Sequence, residues 1–195
     1  MCSWCWGFRA VRDQVRAALP DGTQVRYVMG GLAPDSAEPM DEDTRRFVQA
    51  AWKAVEETTG ASFNWEFWEA CQPRRSTYPA CRAVLVAESL RAGTGELIFD
   101  RIQEAYYSEA RNPSDTATLV ELGRELGLAG DEFERALTSP EAQALLQADL
   151  DLRAELDVHS FPTLILDSGV ERIVLTQGYA DAEEVLARMP RGTPL

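Results

Sequence analysis

Histidine is nearly absent from this 195-residue chain, which holds one, and cysteine is scarce, with four. Four cysteines in a chain of this length are too few for a disulfide scaffold, so the thiols point toward chemistry or metal binding. Basic residues are also few. Nineteen Lys and Arg against 32 Asp and Glu give a net charge of −13, which disfavours nucleic-acid phosphates and anionic lipid as partners. Proteins and small molecules are the expected partners, with oligomeric state left open. No apolar run approaches the length of a membrane helix, and the first residues lack the basic and apolar regions of a secretory signal. The expectation is a cytoplasmic protein with no membrane partner, although the chain starts inside a motif, so a signal or a strand could lie upstream of Met1. No internal repeat, low-complexity tract or Gly/Ser-rich linker divides the sequence. Its 45% hydrophobic content suits one well-packed domain, or a small domain with an insertion.

What is present begins at once, in "MCSWCWGF". Phe8, Val11, Val15 and Leu19 recur at helical spacing until Pro20-Asp21-Gly22, which places Cys2 at a helix N-terminus. Thiols there, and in Cys-x-x-Cys pairs, fall from about 8.5 to roughly 3.5–7.5 because the helix end favours the anion. Cys2 is the expected nucleophile on a disulfide, and Cys5, one turn in, the thiol that resolves the mixed disulfide. Trp4 and Trp6 are candidates for an apolar rim, with sheet packing an equal alternative for Trp6.

"TQVRYVMGG" reads as a strand centred on Val25 to Met29. A long helical region follows. Phe47, Ala51, Ala54, Val55 and Thr58 mark one face before Gly60, and Pro79 opens a buried helix carrying Cys81, Val84 and Leu85. Further helices carry Ile98 to Tyr106, Leu119 to Leu126, and a stretch opened by the capping pair Asp131 and Glu134. Another, opened by Ser139-Pro140, runs to Leu156. "PTLILD" and "RIVLTQG" are strands of a hairpin turning at Ser168-Gly169, and a helix over Asp181 to Arg188 follows. The predicted class is α+β, with a core over 1–33 and 158–195 and an all-helical insertion over 34–157.

Cys-x-x-Cys could also be half of a zinc site. The remaining cysteines, Cys71 and Cys81, have nine residues between them, whereas a zinc knuckle has two to four, so no metal is expected. Cys71 and Cys81 form a candidate second disulfide; the alternative is a core thiol at Cys81 and an incidental Cys71. In "HSFPTLIL", Pro162 precedes an apolar strand, where it cannot donate to the ladder and where either a cis or a trans bond fits. A cis bond would turn the Phe161 backbone toward an extended substrate. His159, three residues before Pro162, is a secondary candidate beside the thiolate. Trp65, Phe67 and Trp68 suit either a groove or, more often, a packed core. Arg74-Arg75 could hold the carboxylates of glutathione or an acidic substrate; a solvated loop is the plainer account.

Together "CSWCWGF", "VMGGL", the helical insertion and "HSFPTLIL" followed by "GY" resemble the DsbA-type thioredoxin-fold thiol:disulfide oxidoreductases, FrnE-like branch; "STYPACRAV" fits the same branch. The resemblance implies a thioredoxin-like core, Cys2 as nucleophile, Cys5 as resolving thiol, and Phe161-Pro162 as a cis-proline substrate clamp. It implies disulfide exchange or isomerisation on protein or peptide disulfides or low-molecular thiols, glutathione included as co-substrate, with no cofactor beyond the cysteines. In that fold a central strand precedes the Cys-x-x-Cys helix. Without it, Val25–Met29 and Thr163–Leu166 would be separated by about two strand spacings, ~9.6 Å, so the recorded start is read as an internal methionine or a truncation. Kappa-type glutathione transferases and chromene-carboxylate isomerases share the architecture with a serine-centred site. A non-catalytic metal- or partner-binding module is the remaining alternative.

Overall fold

The computed structural model describes residues 1–190, so the last five residues of the predicted 158–195 segment lie outside it. The Cys-x-x-Cys segment forms α1 (Ser3–Gly7), and the chain continues through Phe8 into α2 (Arg9–Ala17). Val11 and Val15 face inward at helical spacing. They join Phe8, Leu166, Leu175, Ala180 and Val185 in one apolar cluster, which packs α2 against the C-terminal strands and helix.

Those strands are β1 (Thr163–Asp167) and β2 (Arg172–Gln177), an antiparallel pair with a register irregularity at Leu164/Ile165. Gly169 turns the hairpin with φ +78°, a conformation that suits a residue without Cβ. Helix α10 (Ala182–Ala187) follows, with the Asp181 side chain accepting from the Glu184 N–H at 2.9 Å. A side-chain acceptor at this position satisfies a helix-terminal donor.

Between the two parts lie seven helices. They are α3 (Glu42–Thr59), α4 (Phe67–Ala70), α5 (Tyr78–Leu90), α6 (Thr94–Ser108), α7 (Thr116–Glu125), α8 (Gly130–Leu137) and α9 (Pro140–Glu155). Helix α5 is central, as its apolar circumference predicts: Ala83 and Ala87 are fully buried, and it packs with α6, α7, α8 and α9. Ser139 caps α9 through the Ala142 N–H at 3.2 Å, with Pro140 in the first turn.

Three expectations are corrected. Residues 25–29 pair with neither strand; among the described residues the sheet is two-stranded. Alternating side chains suit a strand, but a strand needs a hydrogen-bonding neighbour, and this segment is tied to α9 instead. The buried face of α3 is Val48, Trp52 and Val55, and Phe47 is 67% exposed. Trp52 decides this, sitting with ring centroids 4.8 to 5.7 Å from Phe63, Phe67, Trp68, Tyr106 and Tyr107. Asp131 does not cap α8, which starts after Ala129. It lies inside the first turn, where it pairs with Arg124 at 3.7 Å.

The insertion is joined to the Cys-x-x-Cys helices in two ways. Gly7 lies so close to α3 that a Cβ would meet Val55 Cγ1 at 2.7 Å and Thr59 Oγ1 at 2.8 Å. Along α2, Arg9, Arg12 and Arg16 face carboxylates spaced four apart on α6. Arg9 pairs with Glu104 at 3.0 Å, Arg12 with Asp100 at 2.6 and 3.1 Å, and Arg16 with Glu96. The order of pairing makes α2 and α6 antiparallel. No described helix is long and apolar enough to cross a membrane.

Candidate active site

Cys2 is the N-cap of α1. Its Sγ accepts the Cys5 N–H at 3.4 Å and lies 3.8 Å from the carbonyl oxygen of Phe161. The Phe161–Pro162 peptide is cis. A distance of 159 residues in sequence is thus closed at one sulfur atom.

The two thiols have opposite acidities. The Cys2 thiol is lowered to about 7, chiefly by a hydrogen bond from the Cys5 thiol, against the opposing effect of burial; the backbone amides of Cys5 and Trp4 add to the lowering. Cys5 is raised well above the usual range by that same hydrogen bond, by burial and by the Cys2 charge. At neutral pH this division leaves Cys2 partly thiolate and Cys5 a protonated donor.

The walls come from both ends of the chain. The Gly178 N–H donates to the Pro162 carbonyl at 2.7 Å, and the next residue, Tyr179, holds its ring 5.7 Å from Trp4. Trp4 therefore stands at the rim, half-buried. Trp6 turns inward, stacked on Tyr107 at 5.4 Å with its indole N–H on the Ser62 carbonyl at 3.0 Å.

Behind Pro162, the Phe161 ring rests on Gly30. Its neighbour Gly31 lies against Leu150 and Tyr78. Helix α9 fixes this stretch: the buried Asp149 accepts the Met29 N–H at 2.7 Å, and Arg153 donates to the Gly30 carbonyl at 2.8 Å. Sequence reasoning missed Asp149, Arg153 and Tyr107, and met Tyr179 only as the "GY" of the family resemblance, with no role at the site. A polar residue at helical spacing carries no mark of the distant segment it will hold. The glycine pair of "VMGGL" is the signal that could have pointed to a close approach of backbone here.

His159 is exposed and bound to Asp157 at 2.7 Å, and it makes no hydrogen bond to Cys2. All four cysteines are free thiols, so Cys71 and Cys81 are not joined. Cys71 packs at the aromatic cluster and its Sγ contacts the Ala110 carbonyl at 3.1 Å, whereas Cys81 packs in the α5 core. Burial raises the pKa of both. Phe67 and Trp68 are core residues, and Trp65 alone of that group is partly exposed, at 39%. Among the described residues no group of three or more His, Cys, Asp or Glu side chains could hold a metal ion. A cavity of about 420 Å³ lies between the loop at Asp35 and helices α5, α7 and α8, and neither Cys2 nor Cys5 lines it.

Three known proteins bear on this arrangement. The ClpXP adapter protein SpxH of Bacillus subtilis (strain 168) is 26% identical over 197 residues, covering 97% of this chain; the chain spans 64% of that relative's length. The crystal structure of a candidate protein disulfide isomerase from Nitrosomonas europaea superposes with a TM-score of 0.77 at 28% identity, covering 96% of this chain and 90% of that one. The cytosolic disulfide reductase DsbM from Pseudomonas aeruginosa gives a TM-score of 0.75 at 28% identity, covering 90% and 85%, and has also been solved with GSH. The Thioredoxin family model matches residues 1–183, a span that holds the Cys-x-x-Cys helix, the insertion and the cis-Pro hairpin, and the chain belongs to the thioredoxin family.

Proposed function

We propose that the chain is a DsbA-type thiol:disulfide oxidoreductase working through Cys2 and Cys5. The observation that carries this reading is the placement of a thiol of pKa about 7 at 3.8 Å from the carbonyl that precedes cis Pro162. An attacking thiol is most effective when its pKa is near the ambient pH. The Phe161 N–H has no partner among the described residues, which supports pairing of the Phe161 backbone with an extended substrate beside the sulfur.

In the first step the Cys2 thiolate attacks one sulfur of a substrate disulfide. The substrate S–S bond breaks and one substrate thiolate departs. Cys5 then loses its proton to water or to the departing thiolate and attacks Cys2 Sγ. The Cys2–Cys5 disulfide forms and the second substrate thiolate leaves. The substrate gains two electrons and the protein loses two, which an external thiol must restore. Low-molecular thiols such as glutathione are the proposed reductant, supported by the reductase solved with GSH. At a cytosolic poise of roughly −220 to −320 mV a thioredoxin-like pair stays mostly reduced, so the proposed direction is reduction or isomerisation in a cytoplasm. No cofactor besides the cysteines is required.

The test is reduction of insulin disulfides by dithiothreitol, following turbidity. Cys2→Ser should abolish catalysis, and Cys5→Ser should trap mixed disulfides. Undiminished catalysis by Cys2→Ser would overturn the reading. The likeness to SpxH along 97% of the chain favours a second reading, binding of a protein partner that needs no thiol chemistry. Partner capture that survives Cys2→Ser/Cys5→Ser, from a chain silent with insulin, would select it.

A further inference from the structure

Residues 73–77 cross the protein between α4 and α5 with their backbone pinned. Met40 N–H donates to the Pro73 carbonyl at 2.9 Å, Thr77 N–H to the Ala33 carbonyl at 3.0 Å, and Ala33 N–H to Thr77 Oγ1 at 3.0 Å. Three arginines project from this stretch and the start of α5. Arg74 is engaged by Asp115 at 2.7 Å and by the Ser114 carbonyl. Arg82 is engaged by Asp35 at 2.7 and 2.8 Å and by Gln143 at 3.1 Å. Arg75, half-buried between them, has no hydrogen-bond or ion-pair partner among the described residues.

Arg75 lines a recess of about 20 Å³ together with Met1, the neighbour of Cys2, and Tyr106. Its charge reaches the Tyr107 hydroxyl, which the charges of both thiols also reach. Burial raises the Tyr107 hydroxyl well above its usual range, the charges of Tyr106, Cys2 and Cys5 add to the rise, and Arg75 opposes it. A guanidinium without a counter-charge is available to an anion, and its planar fork fits a carboxylate through two hydrogen bonds. The chain's −13 charge repels anions at long range. A cation in the recess next to Met1 would matter at contact distance, where it distinguishes one substrate from another.

We infer that Arg75 is a specificity-determining residue that holds a carboxylate of a small acidic disulfide while Cys2 attacks its sulfur. The inference rests on the exchange reading above. The recess shares Arg74, Ser76 and Ser114 with the groove of about 420 Å³, which leaves room for the rest of a small molecule.

The experiment compares two small disulfides as oxidants of the fully reduced chain. One, 5,5′-dithiobis(2-nitrobenzoate), carries a carboxylate on each half; the other, 2,2′-dithiodipyridine, is neutral. In each reaction the probe's S–S bond breaks, Cys2 and Cys5 end as a disulfide, and two thiol equivalents are released and read by absorbance. Arg75→Gln should slow the acidic probe about tenfold, the equivalent of ~1.4 kcal/mol, and leave the neutral probe unchanged. Arg75→Lys, which keeps the charge but not the fork, should fall between. Melting temperatures matching the parent chain would show that the variants fold, and if Arg75→Gln does not, Arg75→Lys carries the test alone, with a selective loss on the acidic probe expected. Equal losses on both probes, or a loss on neither, would overturn the role of Arg75. A parent chain that reacts with neither probe would overturn the exchange reading instead.

Discussion

Gly30 and Phe161 are in such close contact that a Cβ added at Gly30 would lie 2.2 Å from Phe161 Cε1 and 2.3 Å from Cζ. The ring belongs to the residue whose carbonyl faces Cys2 Sγ, so the glycine sets where that carbonyl can be. Gly30→Ala must push the ring outward, because Arg153 and Asp149 hold the Gly30 side in place. Overpacking of this kind costs about 1–3 kcal/mol. The expected outcome is a lower melting temperature together with slower disulfide exchange, while alkylation of Cys2 by iodoacetamide is changed much less. Equal slowing of alkylation and exchange would place the defect in the thiol instead of the clamp.

The acidity of Cys2 gives a pH dependence with a definite sign. Its folded pKa, about 7, lies below the unfolded value of ~8.5, so the fold favours the thiolate. That stabilisation is fully present above the unfolded value and is lost as pH falls through about 7. Two observations should follow: the alkylation rate of Cys2 rises with a midpoint near 7, and the reduced chain gains stability over Cys2→Ser as pH is raised across that window. Cys5→Ala removes the hydrogen bond that is the largest cause of the shift, so the midpoint should move up. A midpoint unmoved in Cys5→Ala would assign the shift to the backbone amides alone.

These thiols were legible in the sequence because their chemistry is local. Two cysteines one turn apart at a helix start specify their own geometry, and a proline entering an apolar strand narrows its backbone to two choices. Helices with strong caps or a Pro in the first turn, such as those opened by Ser139 and Pro79, were legible for the same reason. The segment at 25–29 was not: alternation marks a residue pattern, whereas a strand also depends on a neighbour elsewhere in the molecule. The face of α3 failed differently. Phe47 and Trp52 are both apolar, and only the aromatic rings arriving from α4 and α6 make Trp52 the buried one. Asp149 had no local signature at all, since its partner amide lies 120 residues away.

Asp149 supplies a sharp contrast between two substitutions. It is 4% exposed, and its Oδ2 takes the buried Met29 N–H at 2.7 Å while Oδ1 meets the largely exposed Arg26 at 3.3 Å. Asp149→Asn keeps an acceptor for the amide and gives up only a pairing with an exposed guanidinium, a contact worth about 0–1 kcal/mol. Asp149→Ala strands the amide, at about 1–3 kcal/mol. Denaturant unfolding should therefore rank the parent and Asp149→Asn close together and Asp149→Ala well below. The reverse spacing would mean that charge, and not the amide, holds the 26–30 segment to α9.

The arginine ladder between α2 and α6 allows the same reasoning at the junction of the redox helices with the insertion. Arg12 and Asp100 meet through two hydrogen bonds, at 2.6 and 3.1 Å, with side chains 17% and 26% exposed. Arg46 also pairs with Glu42 at 3.4 Å, but there the side chains are 66% and 89% exposed. Partial exclusion of water strengthens the first pair and solvent screens the second. A double-mutant cycle on Arg12 and Asp100 should give a coupling energy of about 1–3 kcal/mol, largely kept at 0.5 M salt, and the cycle on Arg46 and Glu42 should give close to zero. Losing the first coupling should also slow disulfide exchange, because Arg12 lies one turn beyond Phe8, where α2 takes over from the helix that carries both thiols. Coupling without any effect on exchange would show that α6 stabilises the junction while α3, through its contact at Gly7, alone sets the position of the cysteines.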